Sequence, residues 1–242
     1  MEQDNGGSDF LNSFSWGEIM SLFEKYRPKT WAEVVGQDKV KTAVERLRSR
    51  SALGGRAYWI VGKSGQGKSS IARLLAHEIA GVGDTTEVDA KDLRTDTIRD
   101  MQKVFALANG SFCGLWKDAI SGAWIINEAH ALTNGQVTAL LTALEPVGGI
   151  PSRCTVIFTT TNCGENLLID GCFDANPFLS RCTSLELEQR GVGKKYATRL
   201  QEIARIENLD GKPIGDYERL FSDCGSNMRK ALERIELGVM VD

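Results

Sequence analysis

Gly62-Lys63-Ser64-Gly65-Gln66-Gly67-Lys68-Ser69 satisfies the spacing G-x-x-x-x-G-K-[ST]. Small residues at these positions let backbone N–H groups curl around a string of phosphates. The N-terminus of a following helix adds partial positive charge there. Lys68 is the cation for the terminal phosphates, Ser69 offers its hydroxyl to Mg²⁺, and Ser70 carries the loop into its helix. The motif needs a strand before it and a helix after it. Ala57-Tyr58-Trp59-Ile60-Val61 is apolar and β-prone, and Ile71, Leu74, Leu75 and Ile79 recur at helical spacing. The stretch therefore predicts a nucleotide-phosphate site. It leaves the base, and the use of the energy, open.

Hydrolysis at such a site needs a positioned water and a metal at the last phosphate. Glu128 closes the apolar run Ala123-Trp124-Ile125-Ile126 and is the candidate base; the bland alternative is a cap on the next element. Asn127 precedes it and is expected near the metal, holding its water shell with an amide in place of a charge. Asn162 ends a neighbouring strand and is a candidate for orienting the same water, with Thr161 as its rival. Arg181 follows a polar loop and by itself reads as a surface ion-pair former. Arg229 stands near a helix N-terminus, where anions are preferred, so it invites a phosphate.

The elements that must position these residues alternate. Short strands are predicted at 57–61, 86–89, 123–126, 155–159 and 184–187, with helices between them. This is the pattern of a parallel sheet covered on both faces. Ligands of such sheets lie at the carboxyl ends of the strands, where Gly62–Ser69, Asn127-Glu128 and Asn162 all fall. From about Gln189 the pattern is wholly helical. Tyr196, Leu200 and Ile203 share one face, Tyr217, Leu220 and Phe221 mark a second helix, and Ser226-Asn227 caps a third. Three parts are expected: an acidic flexible extension at 1–19, a nucleotide-binding domain at 20–188 and a helical domain at 189–242.

Composition sets outer limits. The 242 residues carry 29 Lys and Arg against 32 Asp and Glu, a net charge of −3. Residues 1–24 hold five of those acids and no Lys or Arg, which leaves 25–242 with 27 acids, 29 bases and a charge of +2. So slight a positive balance does not advertise a broad nucleic-acid surface. No apolar run approaches a membrane span, and no basic segment with an apolar core opens the chain. A cytoplasmic protein without membrane partners is expected. The six cysteines include no C-x-x-C pair and the histidines number two, so no zinc site is expected. Ile19-Met20-Ser21-Leu22-Phe23 loosely resembles short peptides that dock on bacterial sliding clamps; helix packing explains Leu22 and Phe23 as well.

Together these stretches resemble the AAA+ family, and within it the clamp-loader branch of replication factor C small subunits and bacterial polymerase III gamma/tau. The resemblance runs from about Met20 to Val241. Tyr26-Arg27-Pro28-Lys29 with Val34-Val35-Gly36-Gln37 is similar to the adenine-side box of those subunits, which assigns Tyr26, Arg27, Pro28 and Val35 to the nucleotide. Gly62–Ser69 stands as Walker A, Ile125–His130 as Walker B and Phe158–Asn162 as sensor 1. Leu179-Ser180-Arg181-Cys182 matches the S-R-C motif, whose arginine serves the neighbouring subunit's site in trans. Asn227–Leu232 resembles sensor 2, which gives Arg229 its role.

The resemblance implies a RecA-like P-loop parallel sheet, an α/β fold, followed by a small all-α lid. It also implies ATP and Mg²⁺ as cofactors and other AAA+ subunits, a sliding clamp and primer–template DNA as partners. Four features depart from the pattern. Asn127 replaces the Walker B aspartate, the cysteine-rich zinc insert is missing, the loop at 163–179 is long, and the sequence ends after the lid, where the resembled subunits continue into a collar. Slow, metal-dependent turnover is expected from Asn127, and Asn127→Asp is expected to raise the rate or the Mg²⁺ dependence. Two other readings stay open: a branch-migration or recombination motor of the same superfamily, and a non-hydrolysing structural subunit that lends Arg181 to a catalytic neighbour.

Overall fold

The computed structural model describes residues 20–109, 120–145, 149–161 and 176–241. Five parallel strands form one sheet: β1 (Arg56–Val61), β2 (Thr85–Asp89), β3 (Gly122–Asn127), β4 (Cys154–Thr160) and β5 (Cys182–Glu186). Their order across the sheet is β2-β3-β4-β1-β5. The strands sit within two residues of their predicted places. β5 starts two residues earlier than expected, so Arg181 directly precedes it.

Strand geometry sends alternate side chains to opposite faces. Trp59, Trp124, Ile126, Val156 and Phe158 pack on one face against α4 (Thr95–Asn109) and α5 (Asn134–Leu144). Tyr58, Ile60, Ala123, Ile125 and Ile157 pack on the other against α2 (Asp38–Ser49) and α3 (Lys68–Ala80). All seven residues of β4 are buried, as a central strand covered on both sides requires. The rings of Trp59, Phe158 and Phe178 meet at 4.9–5.7 Å between centroids. Phe178 belongs to the short helix α6 (Asn176–Leu179), so this aromatic cluster fixes the chain immediately ahead of Arg181. Each such pair adds about 0.5–1.5 kcal/mol beyond the burial itself.

Three helices follow the sheet: α7 (Gly193–Ile206), α8 (Ile214–Asp223) and α9 (Met228–Glu236). Tyr196 and Phe221 stack at 5.1 Å inside their core. Asn227 caps α9 as its sequence implied, accepting a hydrogen bond from the Lys230 amide at 3.2 Å. This helical core takes in a residue from the other end of the chain. Leu22, on the single-turn helix α1 (Leu22–Lys25), is buried in it, with Phe23, Tyr26 and Val35 packed alongside. Leu22 is thus held inside the fold, and helix packing accounts for it.

Gln37 joins the two layers. Its side chain accepts from the Glu188 amide at 2.7 Å and donates to the Tyr196 hydroxyl at 2.9 Å. Beside it Gly36 has φ of +71°, and a Cβ there would press on Val192 at 3.2 Å. No helix among the described residues is long and apolar enough to cross a membrane.

Candidate nucleotide site

The phosphate-binding loop leaves β1 at Gly62 and enters α3 at Lys68. Gly67 occupies the helix N-cap with φ of +94°, a left-handed conformation that favours glycine. The loop is braced from within, since Gln66 Oε1 accepts from the Lys63 amide at 2.8 Å. Lys68 is buried, and its ammonium donates to the carbonyls of Gly62 and Lys63 at 2.8 and 3.0 Å. These bonds keep the loop curled.

The helical unit closes on this loop. The Met228 amide donates to the Gly65 carbonyl at 3.2 Å. A Cβ on Gly65 would lie 1.9 Å from Asn227 Oδ1, so only glycine admits α9 so closely. Between the loop and the helices is a cleft. Tyr26, Pro28, Val34, Val35, Ile203 and Met228 line its apolar end. Tyr26 is held there by Glu207, which accepts from its hydroxyl, and desolvation with that bond pushes the phenol up to about 12. Arg27, Ser64, Lys68, Ser69, Glu128 and Arg229 line the phosphate end. Flat apolar walls at one end and three cations at the other suit a nucleoside polyphosphate.

Glu128 follows the last residue of β3 and has φ of +51°, which is strained for a residue with a Cβ. The turn keeps its carboxylate at the cleft; its side chain is 52% exposed and lies 3.5 Å from His130 Nδ1. Ser69 presents the only neutral hydroxyl that the sequence reading assigned to a metal, and it sits at this same end. Mg²⁺ keeps most of its waters and takes few protein ligands, so one hydroxyl beside bound phosphates is an adequate set. Asn162 lies outside the described residues.

Residues 58–179, half of the chain, match the family described as "ATPase family associated with various cellular activities (AAA)". The chain belongs to this AAA family. A replication factor C small subunit of Methanoregula boonei is 29% identical over 218 residues, which cover 88% of this chain and 61% of that protein. DNA polymerase III subunit tau of Salmonella typhimurium is 29% identical over 236 residues, covering 87% of this chain and 33% of that one. The AAA chain described here thus spans between a third and three fifths of these relatives' length. Both names belong to the clamp-loader branch that the sequence resembles. A RuvB variant structure from Thermotoga maritima superposes with a TM-score of 0.64 at 19% identity, covering 87% of this chain and 64% of that one, a likeness of fold.

Membership of the AAA family implies use of a nucleotide and Mg²⁺, yet Asn127 is occupied elsewhere. The amide nitrogen donates to Glu87 Oε1 at 2.8 Å, and Thr159 donates to the Asn127 amide oxygen at 2.9 Å. Glu87 Oε2 accepts from Arg73 Nε at 2.6 Å. These bonds tie β2, β3, β4 and α3 together, and the carboxylate of the network stands on β2. The geometry changes what Asn127→Asp should do. An aspartate cannot donate to Glu87, and it places a second carboxylate at hydrogen-bond range. Like charges so close force one carboxyl to hold its proton.

Asn127→Asp alone should therefore lower the melting temperature by about 2–4 °C, on a cost of about 1 kcal/mol, without a gain in rate. The double variant Asn127→Asp, Glu87→Gln keeps both the charge and the hydrogen bond and should recover the loss. Thermal melts of the two proteins check this; equal melting temperatures would show the pair to be unimportant. The sequence reading missed Glu87. Its only signal was its place near the carboxyl end of the strand paired with β3.

Arg181 does not line the cleft. Its backbone N–H bonds to the Phe178 carbonyl at 3.2 Å. Its guanidinium pairs with Glu145 at 2.8 Å and also donates to the Pro177 carbonyl. The two other arginines of the sequence reading, Arg27 and Arg229, reach the cleft from α1's end and from α9.

Proposed function

We propose that this chain binds ATP with Mg²⁺ between its sheet and its helical lid, hydrolyses it, and acts as a clamp-loader-like subunit that couples ATP to the handling of a sliding clamp and primer–template DNA. The observation that carries the nucleotide part is the meeting of Lys68, Ser69, Glu128, Arg27 and Arg229 at one end of a cleft whose other end is apolar. These residues come from the loop, the β3 edge, the N-terminal turn and the lid, so a bound triphosphate would join all four. The replication names of the relatives support the finer part.

In this reading Lys68 and the loop amides hold the β- and γ-phosphates, and Ser69 binds the Mg²⁺ that neutralises charge on them. Glu128 takes the proton of the attacking water. Tyr26, Pro28 and Val35 face the nucleoside side, Arg27 reaches the phosphate end in place of the adenine side that the sequence resemblance assigned to it, and Arg229 brings the lid to the phosphates. Arg181 serves a neighbouring protomer, and the partners are other AAA subunits.

Lys68→Ala tests the base of this reading. It removes the main side-chain charge on the phosphates, so tight ATP binding should be lost, by about 100-fold or more. Equilibrium binding of ATP to the two proteins measures it, and unchanged affinity would end the nucleotide reading. Steady-state ATPase with and without primed DNA tests the replication part; stimulation by primed DNA is expected.

A further inference from the structure

Phe23 was not among the site residues read from the sequence, yet its ring borders both ends of the cleft. Two guanidinium groups rest over it. The Arg229 guanidinium carbon is 4.4 Å from the ring centroid and that of Arg27 is 4.9 Å from it. Both arginines also line the phosphate end with Lys68 and Ser69. Three cations that converge on one small space repel each other. An aromatic face carries negative charge density and attracts a cation placed over it.

Arg27 has a further anchor in Glu24, which accepts from its Nε at 2.9 Å. Arg27, with Arg73 and Arg229 adding, holds that carboxyl below its ordinary value. Arg229 stands at the start of α9, where the helix dipole disfavours a cation. Among the described residues no ion pair holds it; the ring is the contact that does. The two arginines come from opposite ends of the chain. They are brought together because α1 packs on α9 through Leu22.

We propose that Phe23 is a positioning residue that sets Arg27 and Arg229 as a single pair of cations for the third phosphate of the nucleotide, and so fixes the preference for a triphosphate over a diphosphate. The inference rests on the nucleotide reading of the cleft. The loop amides and Lys68 serve either nucleotide. The two guanidiniums add charge only where the extra phosphate brings its own. Without the ring Arg229 is free to take other rotamers and Arg27 keeps Glu24 as its only anchor among these contacts, and ordering the pair again is charged against the triphosphate alone.

The test is equilibrium binding of a non-hydrolysable ATP analogue and of ADP to the full chain. Phe23→Leu keeps an apolar side chain beside Leu22 but removes the ring; Phe23→Met does the same should the first fold poorly. Phe23→Trp keeps a ring. Either aliphatic variant should weaken the analogue by about 5- to 10-fold while ADP changes by less than about twofold. Phe23→Trp should restore the preference. Adding Phe23→Leu to Arg229→Ala should cost less than it does in the unaltered protein, since one of the two cations is already gone. Equal weakening of both nucleotides would make Phe23 a packing residue and overturn the proposal, as would an unchanged ratio. Normal binding of both nucleotides by Lys68→Ala would instead remove the nucleotide reading itself, a separate result.

Discussion

Glu128→Gln should hold ATP and fail to turn it over, with kcat down by about 10²- to 10⁴-fold and affinity nearly unchanged. The glutamine has the shape of the acid and its hydrogen-bonding reach. What it lacks is a site that can take the proton of the attacking water. The structure gives reasons for the residue's placement. Glu128 directly follows β3 with φ of +51°, and it is one of four non-glycine residues among those described with positive φ. Such a conformation costs of order 1–3 kcal/mol and persists where the surroundings hold it. Here the Ala131 amide donates to the Glu128 carbonyl at 2.8 Å, and the short turn Ala129–Ala131 follows at once. The turn carries the side chain off the sheet edge and toward Lys68 and Ser69. A filter-binding assay with labelled ATP, followed by a chase, separates retention from turnover. Wild-type turnover by Glu128→Gln would return the residue to the role of a cap.

The loop and the sheet were legible in the sequence because their signals are local. Gly62–Ser69 is contiguous, and glycines at 65 and 67 do adopt positive φ. Trp124 and Ile126 alternate with Ala123 and Ile125 across the sheet, so an apolar run bounded by turn residues reads as a buried strand. Asn227 is legible as a cap because capping needs only its own first turn. The strand order was not legible, since nothing in β1 names β4 and β5 as its neighbours. Nor were contacts between distant residues of ordinary type. Phe23 reads as a core aromatic until Arg229 is placed over it. Asn127 reads as a weakened metal residue until Glu87 and Thr159 are found on its amide. Leu22 reads as the start of the first domain, whereas its side chain completes the core of the last. In each case a long-range packing choice decided the role, and residue type alone could not express it.

Arg181→Ala should bind ATP normally and hydrolyse it about 10³- to 10⁵-fold more slowly, the range for a guanidinium on a transferring phosphoryl group. The loss should arise in a neighbour's site. Arg181 is absent from the lining of its own cleft, while its backbone is fixed by the Phe178 carbonyl and by the buried ring of that residue. The side chain is less firmly held. Its partner Glu145 is 61% exposed, and exposed ion pairs contribute only about 0–1 kcal/mol. To reach a phosphate brought by another protomer the guanidinium must leave both Glu145 and the Pro177 carbonyl, and the incoming phosphate offers it a charged acceptor in exchange. Lys68→Ala has the opposite lesion: an empty cleft with a sound Arg181. Mixing the two inactive proteins should therefore restore activity in proportion to the interfaces that pair an intact loop with an intact arginine. Size-exclusion chromatography with light scattering establishes that the two co-assemble, and ATPase measured on the same fractions gives the result. Co-assembly without recovered activity would show that Arg181 does not act across the interface, and its bonds to Glu145 and to the Pro177 carbonyl would then be its role.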